Sequence, residues 1–187
     1  MNIGIDIDDT ITDTYETLLP LVAIKFGMDL SKLMEKRPSY KVLYKSIPNY
    51  QDFAAENYHI MARMVPLKAN VIEVLNKLRA NGHKIIFITA RNTEEYRNPY
   101  KLSYDYLTKN NVPFDKLITN IKDKGRECVI QGIDLFLDDN TLNCLAVKKH
   151  GIKTVQFDAG FACKDKDLPK VKSWNEFYEY VLENCVA

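Results

Sequence analysis

The chain has 187 residues, 46% of them apolar, with 26 basic residues against 25 acidic ones. That is enough to bury one sizeable core, and the charge is too balanced to steer the chain to a polynucleotide or an anionic membrane. No apolar run is long enough to span a bilayer and no basic segment precedes the first apolar stretch, so the expected location is cytoplasmic.

Residues 3 to 12, IGIDIDDTIT, form a β-branched apolar run that ends in Asp6, Asp8 and Asp9. Strand side chains alternate, so Asp6 and Asp8 share a face. Two like charges so placed are costly without a cation or a catalytic task. The plainer reading is a solvated acidic loop, with Asp13 capping the next helix. Residues 14 to 27 show helical spacing in Leu18, Leu19, Val22 and Phe26 and stop at Gly27; 51 to 64 repeats the pattern, and Pro38, Pro48 and Pro66 punctuate the remainder. This stretch far exceeds an ordinary connection, so residues 14 to 66 are expected to be a helical cap inserted after the first strand, with 1 to 13 and 67 to 187 forming the core. Its rings, among them Tyr15, Phe26, Tyr40, Tyr44, Tyr50, Phe53 and Tyr58, could stack on a base, although aromatic residues at helical spacing are more often core.

Beyond the cap, the pattern predicts a helix over 68 to 80 ending at Asn81-Gly82, a strand over 84 to 89 and a helix over 94 to 110. A short strand follows over 116 to 119, a helix over 123 to 132, and strands over 133 to 137 and 152 to 157. Ser173 and Glu176 have capping-box spacing ahead of a final helix running to Val186. This βαβ alternation defines an α/β fold with a Rossmann-like parallel sheet.

In such a sheet, ligands bind beyond the carboxyl ends of the strands, where strand order reverses. Asp6 and Asp8, Thr89, Lys124, and Asp138 with Asp139 all fall there. Three carboxylates make an oxygen-rich site suited to Mg²⁺, which binds through few carboxylates plus substrate phosphate. Taken singly, Thr89 reads as a strand residue and Lys124 as a solvated face. Arg91 could reach a phosphate or ribose, or form a loop salt bridge. Thr10 and Asn140 could orient the acids, or Asn140 could simply cap the helix starting at Thr141. Cys128, Cys144, Cys163 and Cys185 form no CxxC pair, and His59, His83 and His150 are scattered, so neither a redox or zinc site nor a Ser-His-Asp relay is expected.

DIDDT at 6 to 10, FITA at 87 to 90, Lys124 within DKG, and LDD at 137 to 139 together resemble the haloacid dehalogenase superfamily of phosphohydrolases, in the family's order. TAR, PFDKLI, DKG and DLFLDD further resemble its 5'-deoxynucleotidase branch, which carries a helical cap after the first motif. The resemblance implies that Asp6 is a nucleophile forming an aspartyl-phosphate and that Asp8 is a general acid and base, neutral at the start. It also implies Mg²⁺ held by Asp6, the Asp8 carbonyl and Asp138, with Asp139 ligating through water or orienting the others. Thr89 and Lys124 would stabilise the phosphoryl group. The implied partner is a small phosphorylated substrate, a nucleoside 5'-monophosphate first, with a sugar phosphate as the alternative. A receiver-like signalling module is disfavoured by the order of Thr89 and Lys124, and no GxxxxGK[ST] or GxGxxG motif is present. Oligomeric state is not set by the sequence.

Overall fold

The computed structural model describes residues 1 to 160 and 167 to 185, so Cys163 and the expected helix end at Val186 lie outside the described residues. In chain order the elements are β1 (Asn2–Ile5), α1 (Thr14–Phe26), α2 (Leu30–Lys36), α3 (Tyr40–Ser46), α4 (Tyr50–Met64) and α5 (Val71–Ala80). They continue with β2 (Lys84–Ile88), α6 (Pro99–Lys109), β3 (Lys116–Ile118), α7 (Lys124–Ile130), β4 (Leu135–Asp138) and α8 (Thr141–Lys148). The chain closes with β5 (Lys153–Phe157), β6 (Lys170–Val171) and α9 (Trp174–Cys185). The strands form one sheet in the order β3-β2-β1-β4-β5-β6, and every neighbouring pair is parallel.

The period of two sorts the sheet into faces. Ile3 and Ile5 of β1, Ile85 and Phe87 of β2, and Leu135 and Leu137 of β4 share one buried cluster with the apolar stripes of α5 and α9. Ile86, Ile88 and Phe136 point the other way and pack with Cys128 of α7 and Val147 of α8. Because consecutive strands lie to one side of β1 and later ones to the other, the order reverses between β1 and β4. Asp6 and Asp138 stand at that point, on the parity that faces α7 and α8.

Helices α1 to α4 have an apolar cluster of their own, including Leu18, Leu19, Val22, Tyr50, Phe53 and Met61, extended by Tyr96 and Leu102 from beyond β2. Gly27 ends α1 in the left-handed conformation at φ 62°, and its N–H bonds to the Ala23 carbonyl. The helices α2 and α3 carry no long apolar period and escape a sequence reading. Local caps define their starts: Asp29 accepts from the Lys32 N–H at α2, and Ser39 precedes α3. The two-residue β6 is likewise too short to read from sequence.

The helix expected over 94 to 110 begins later, at Pro99. The Asn98 side chain accepts from the Lys101 N–H, and proline suits the first helical position. Upstream, the Asn92 side chain accepts from the N–H groups of Glu94 and Glu95 at 2.8 and 3.1 Å, a local turn that competes with helix. Similarly α5 begins at Val71 rather than residue 68, after Asn70 at φ 65°. Ser173 accepts from the Glu176 N–H at 3.2 Å, while Glu176 reaches back to the N–H of Lys172.

Candidate active site

The Asp6 N–H donates to the Leu137 carbonyl at 3.0 Å, which pins the end of β1 beside the end of β4. Across this gap lies Lys124, the first residue of α7 and 3% exposed. Its Nζ donates to Asp6 Oδ1 at 2.5 Å and to Asp138 Oδ2 at 2.6 Å. Burial alone would lower the lysine pKa, but Asp138 and Asp6 outweigh it and hold the ammonium protonated. Burial is the largest influence on the Asp6 carboxyl and pushes it up to about 7; Lys124 pulls the other way, while Asp138 and Asp8 add to the rise. One cation therefore does not neutralise this concentration of acids.

Oxygen atoms of Asp6, Asp138 and Asp139 all lie within 4.8 Å of one another. Three carboxylates without nitrogen or sulfur donors fit a hard divalent cation. Burial and the charges of Asp138, Asp9 and Asp6 raise the Asp139 carboxyl well above its ordinary value. The second acid of this pair is therefore part of the oxygen cluster, rather than only an outlying group. Thr10 Oγ1 accepts from the Asp139 N–H at 3.1 Å and lies 3.4 Å from Asp139 Oδ1. Asn140 caps α8 by accepting from Leu142 N–H at 2.9 Å, and its own N–H donates to Asp138 Oδ1 at 2.7 Å. Asn143, which sequence reasoning passed over, donates to both Asp138 oxygens at 3.3 and 3.1 Å. Its position, three residues after the cap and so on the same helix face, is the only sequence signal for it.

Asp8 differs from the expectation in one respect, the charge state of its carboxyl. Its side chain turns to Arg91, which is 2% exposed and donates through Nε at 2.8 Å and Nη2 at 2.7 Å, a bidentate pair. Thr14 Oγ1 adds a third hydrogen bond at 3.0 Å. Burial would raise the Asp8 carboxyl, but the charge and hydrogen bonds of Arg91, with Thr14, hold it below its ordinary value. This direction runs opposite to the neutral group expected, because the buried guanidinium favours the charged form by more than burial disfavours it. Arg91 is also anchored by Ser103 Oγ of α6 at 3.3 Å and lies over the Tyr96 ring, 5.8 Å from its centroid.

Asp9, at φ 59°, holds the loop between β1 and α1. It accepts from the Tyr15 N–H at 2.7 Å and from the Tyr40 hydroxyl at 2.8 Å, so the acidic loop is tied to both α1 and α3. Thr89 is buried at the end of β2, and its Oγ1 accepts from the Arg91 N–H at 3.3 Å.

Asp6, Asp8, Asp9, Thr89, Arg91, Lys124, Asp139, Asn140 and Asn143 line a cavity of about 530 Å³. Tyr40, Tyr44, Tyr58, Met61, Glu95 and Tyr96 line the same cavity. Of the aromatic residues singled out above, Tyr40, Tyr44 and Tyr58 reach the cavity, whereas Tyr15, Tyr50 and Phe53 are buried in the helical cluster and Phe26 packs against it. Glu95 and Tyr96 were invisible to periodicity because they sit in the turn that replaces the expected first turns of α6.

The chain has the haloacid dehalogenase-like α/β fold. Two solved structures carry it over nearly their whole length: a haloacid dehalogenase-like hydrolase from Streptococcus pneumoniae (TM-score 0.65, 14% identity, 96% of this chain and 97% of that one) and a predicted phosphatase from Clostridium acetobutylicum (TM-score 0.66, 16% identity, 97% and 98%). In sequence, the chain is similar to a nucleotidase of Clostridium acetobutylicum, 29% identical over 97% of this chain and 93% of the relative. No family model matches the sequence.

Proposed function

We propose that the chain is a Mg²⁺-dependent phosphoric monoester hydrolase that acts on a nucleoside 5'-monophosphate through an aspartyl-phosphate on Asp6. The observation that carries this reading is Lys124 bridging Asp6 and Asp138 at 2.5 and 2.6 Å, at the strand-order reversal and in the lining of the cavity. The relative described as a nucleotidase supports the substrate class. So does the part of the cavity lining where Tyr40, Tyr58, Met61 and Tyr96 offer aromatic and apolar surface better matched to a base than to a sugar phosphate.

In this reading Asp6, Asp138 and Asp139 would hold the cation, together with the Asp8 carbonyl that the family resemblance implies, and the metal would supply charge that offsets repulsion between carboxylate and phosphate. Asp6 attacks phosphorus, the bond to the leaving oxygen breaks, and water later cleaves the acyl phosphate. Lys124 draws Asp6 toward its ionised form against burial and balances charge on the phosphoryl oxygens, with Thr89 as a further donor. Ionised Asp8 is ready to take the proton of the attacking water. To protonate the leaving oxygen in the first step it must itself gain a proton, which requires the Arg91 pair to loosen as substrate enters. The helices between β1 and α5 form the cap, residues 14 to 66, which keeps bulk water from the acyl phosphate.

The test is phosphate release from ribo- and deoxynucleoside 5'-monophosphates and sugar phosphates, for wild type and Asp6→Asn, with Mg²⁺ and with EDTA. Turnover should favour nucleotides, stop in EDTA and fall by roughly three orders of magnitude or more in Asp6→Asn. A folded Asp6→Asn protein with wild-type turnover would reject the nucleophile assignment.

A further inference from the structure

Glu95 lines the same cavity as Asp6, Asp8 and Asp139. It is held in place: the Tyr44 hydroxyl donates to Oε1 at 3.0 Å, and Asn92 Nδ2 donates to Oε2 at 3.2 Å. The Asn92 side-chain oxygen accepts from the Glu95 N–H, so backbone and side chain are fixed by the same residue. Both side-chain partners are neutral, and among the described residues no lysine, arginine or histidine forms an ion pair with Glu95.

A carboxylate has room for about four hydrogen bonds, and two are used here. In a cavity that receives an anionic ester, an uncompensated carboxylate would repel the substrate and lose its own water on closure. Its placement makes sense when the occupant brings donors to it. We propose that Glu95 is a specificity-determining residue whose carboxylate accepts hydrogen bonds from N–H or O–H groups on the leaving group, remote from the phosphate. Such donors are found on amino-bearing nucleobases and on sugar hydroxyls. This rests on the nucleotide reading for its choice of ligands, yet it concerns a residue that shares no hydrogen bond or ion pair with Asp6, Lys124 or Asp138 among the described contacts. A site built around an acceptor rejects analogues lacking the donor more strongly than an apolar pocket rejects a missing methylene.

The experiment is calorimetric titration of nucleosides, which carry no phosphate, into wild type and Glu95→Gln. The pairs are guanosine with inosine and cytidine with uridine, for donors on the base, and guanosine with 2'-deoxyguanosine, for donors on the sugar. In at least one pair the donor-richer member should bind wild type roughly 10- to 100-fold more tightly, and that ratio should collapse in the variant. The pair affected identifies the source of the donor. Equal ratios in the two proteins, or no nucleoside binding to wild type, would overturn the proposal. If Glu95→Gln does not fold, Tyr44→Phe should weaken the same discrimination by releasing the carboxylate from the wall, and unchanged discrimination there overturns the proposal equally. Selective nucleoside binding without ester hydrolysis would strike the phosphatase reading and leave Glu95 standing; hydrolysis with unchanged discrimination would do the reverse.

Discussion

Asp8 shares its strand parity with Asp6 but not its electrostatic setting. Lys124 is divided between two acids, whereas Arg91 spends two hydrogen bonds on Asp8 alone. Because the folded-state pKa of Asp8 lies below its ordinary 3.8, the pair's contribution to stability is fully present above that value and is lost as pH falls through the lowered one. Arg91→Gln should therefore cost about 2 kcal/mol near neutral pH. The deficit relative to wild type should shrink as pH is taken from about 6 to about 3. Urea denaturation across that range measures it, and a pH-independent deficit would show that Arg91 acts through packing. The bidentate contact itself was not readable in the sequence, where TAR shows only a cation near a strand end. Which anion it meets depends on where the first loop turns.

At the scale of elements, the position of Lys124 depends on how closely α7 approaches α8. Gly125, one residue on, lies so near that an added Cβ would sit 2.8 Å from the Ala146 carbonyl oxygen and 2.9 Å from His150 Cδ2. A backbone carbonyl cannot swing aside as a side chain can, so Gly125→Ala must push the two helices apart. We expect a loss of about 1 to 3 kcal/mol in stability. The displaced α7 N-terminus should also carry Lys124 away from Asp6 and lower kcat more than it raises KM. Denaturation and steady-state kinetics read these separately; wild-type values for both would mean that the helices accommodate the methyl group. The strands and long helices were legible because burial imposes periods of two and 3.6 on their side chains. The late start of α6 was not, since side-chain hydrogen bonds at Asn92 and Asn98 compete with a helical pattern that is otherwise acceptable.

For the whole molecule, the site stores unfavourable charge that a cation would relieve. Asp6, Asp138 and Asp139 converge from β1 and β4, and binding at them stabilises only the folded chain. Mg²⁺ at about one hundred times its dissociation constant should add about 2.7 kcal/mol, a rise of several degrees in Tm for a chain of this size. Thermal unfolding in Mg²⁺ and in EDTA tests this, and Asp139→Asn should diminish the difference. Identical melting with and without the ion would exclude metal at these carboxylates.

By itself the sequence determined the α/β class and the parallel sheet, because both are written in local periodicity, and it set acids, Thr89 and Lys124 at element ends, where the family resemblance implies phosphoryl chemistry. Among the described residues, no helix is long and apolar enough to cross a membrane. Only the tertiary structure decided which polar groups pair: Lys124 with Asp6 and Asp138, Arg91 with Asp8, and the Tyr40 hydroxyl with Asp9. It also decided which aromatic rings face the cavity and which are packing, and it brought Glu95 to the wall. These are contacts between segments far apart in the chain, and their geometry is set by how helices and sheet pack rather than by any short run of residues.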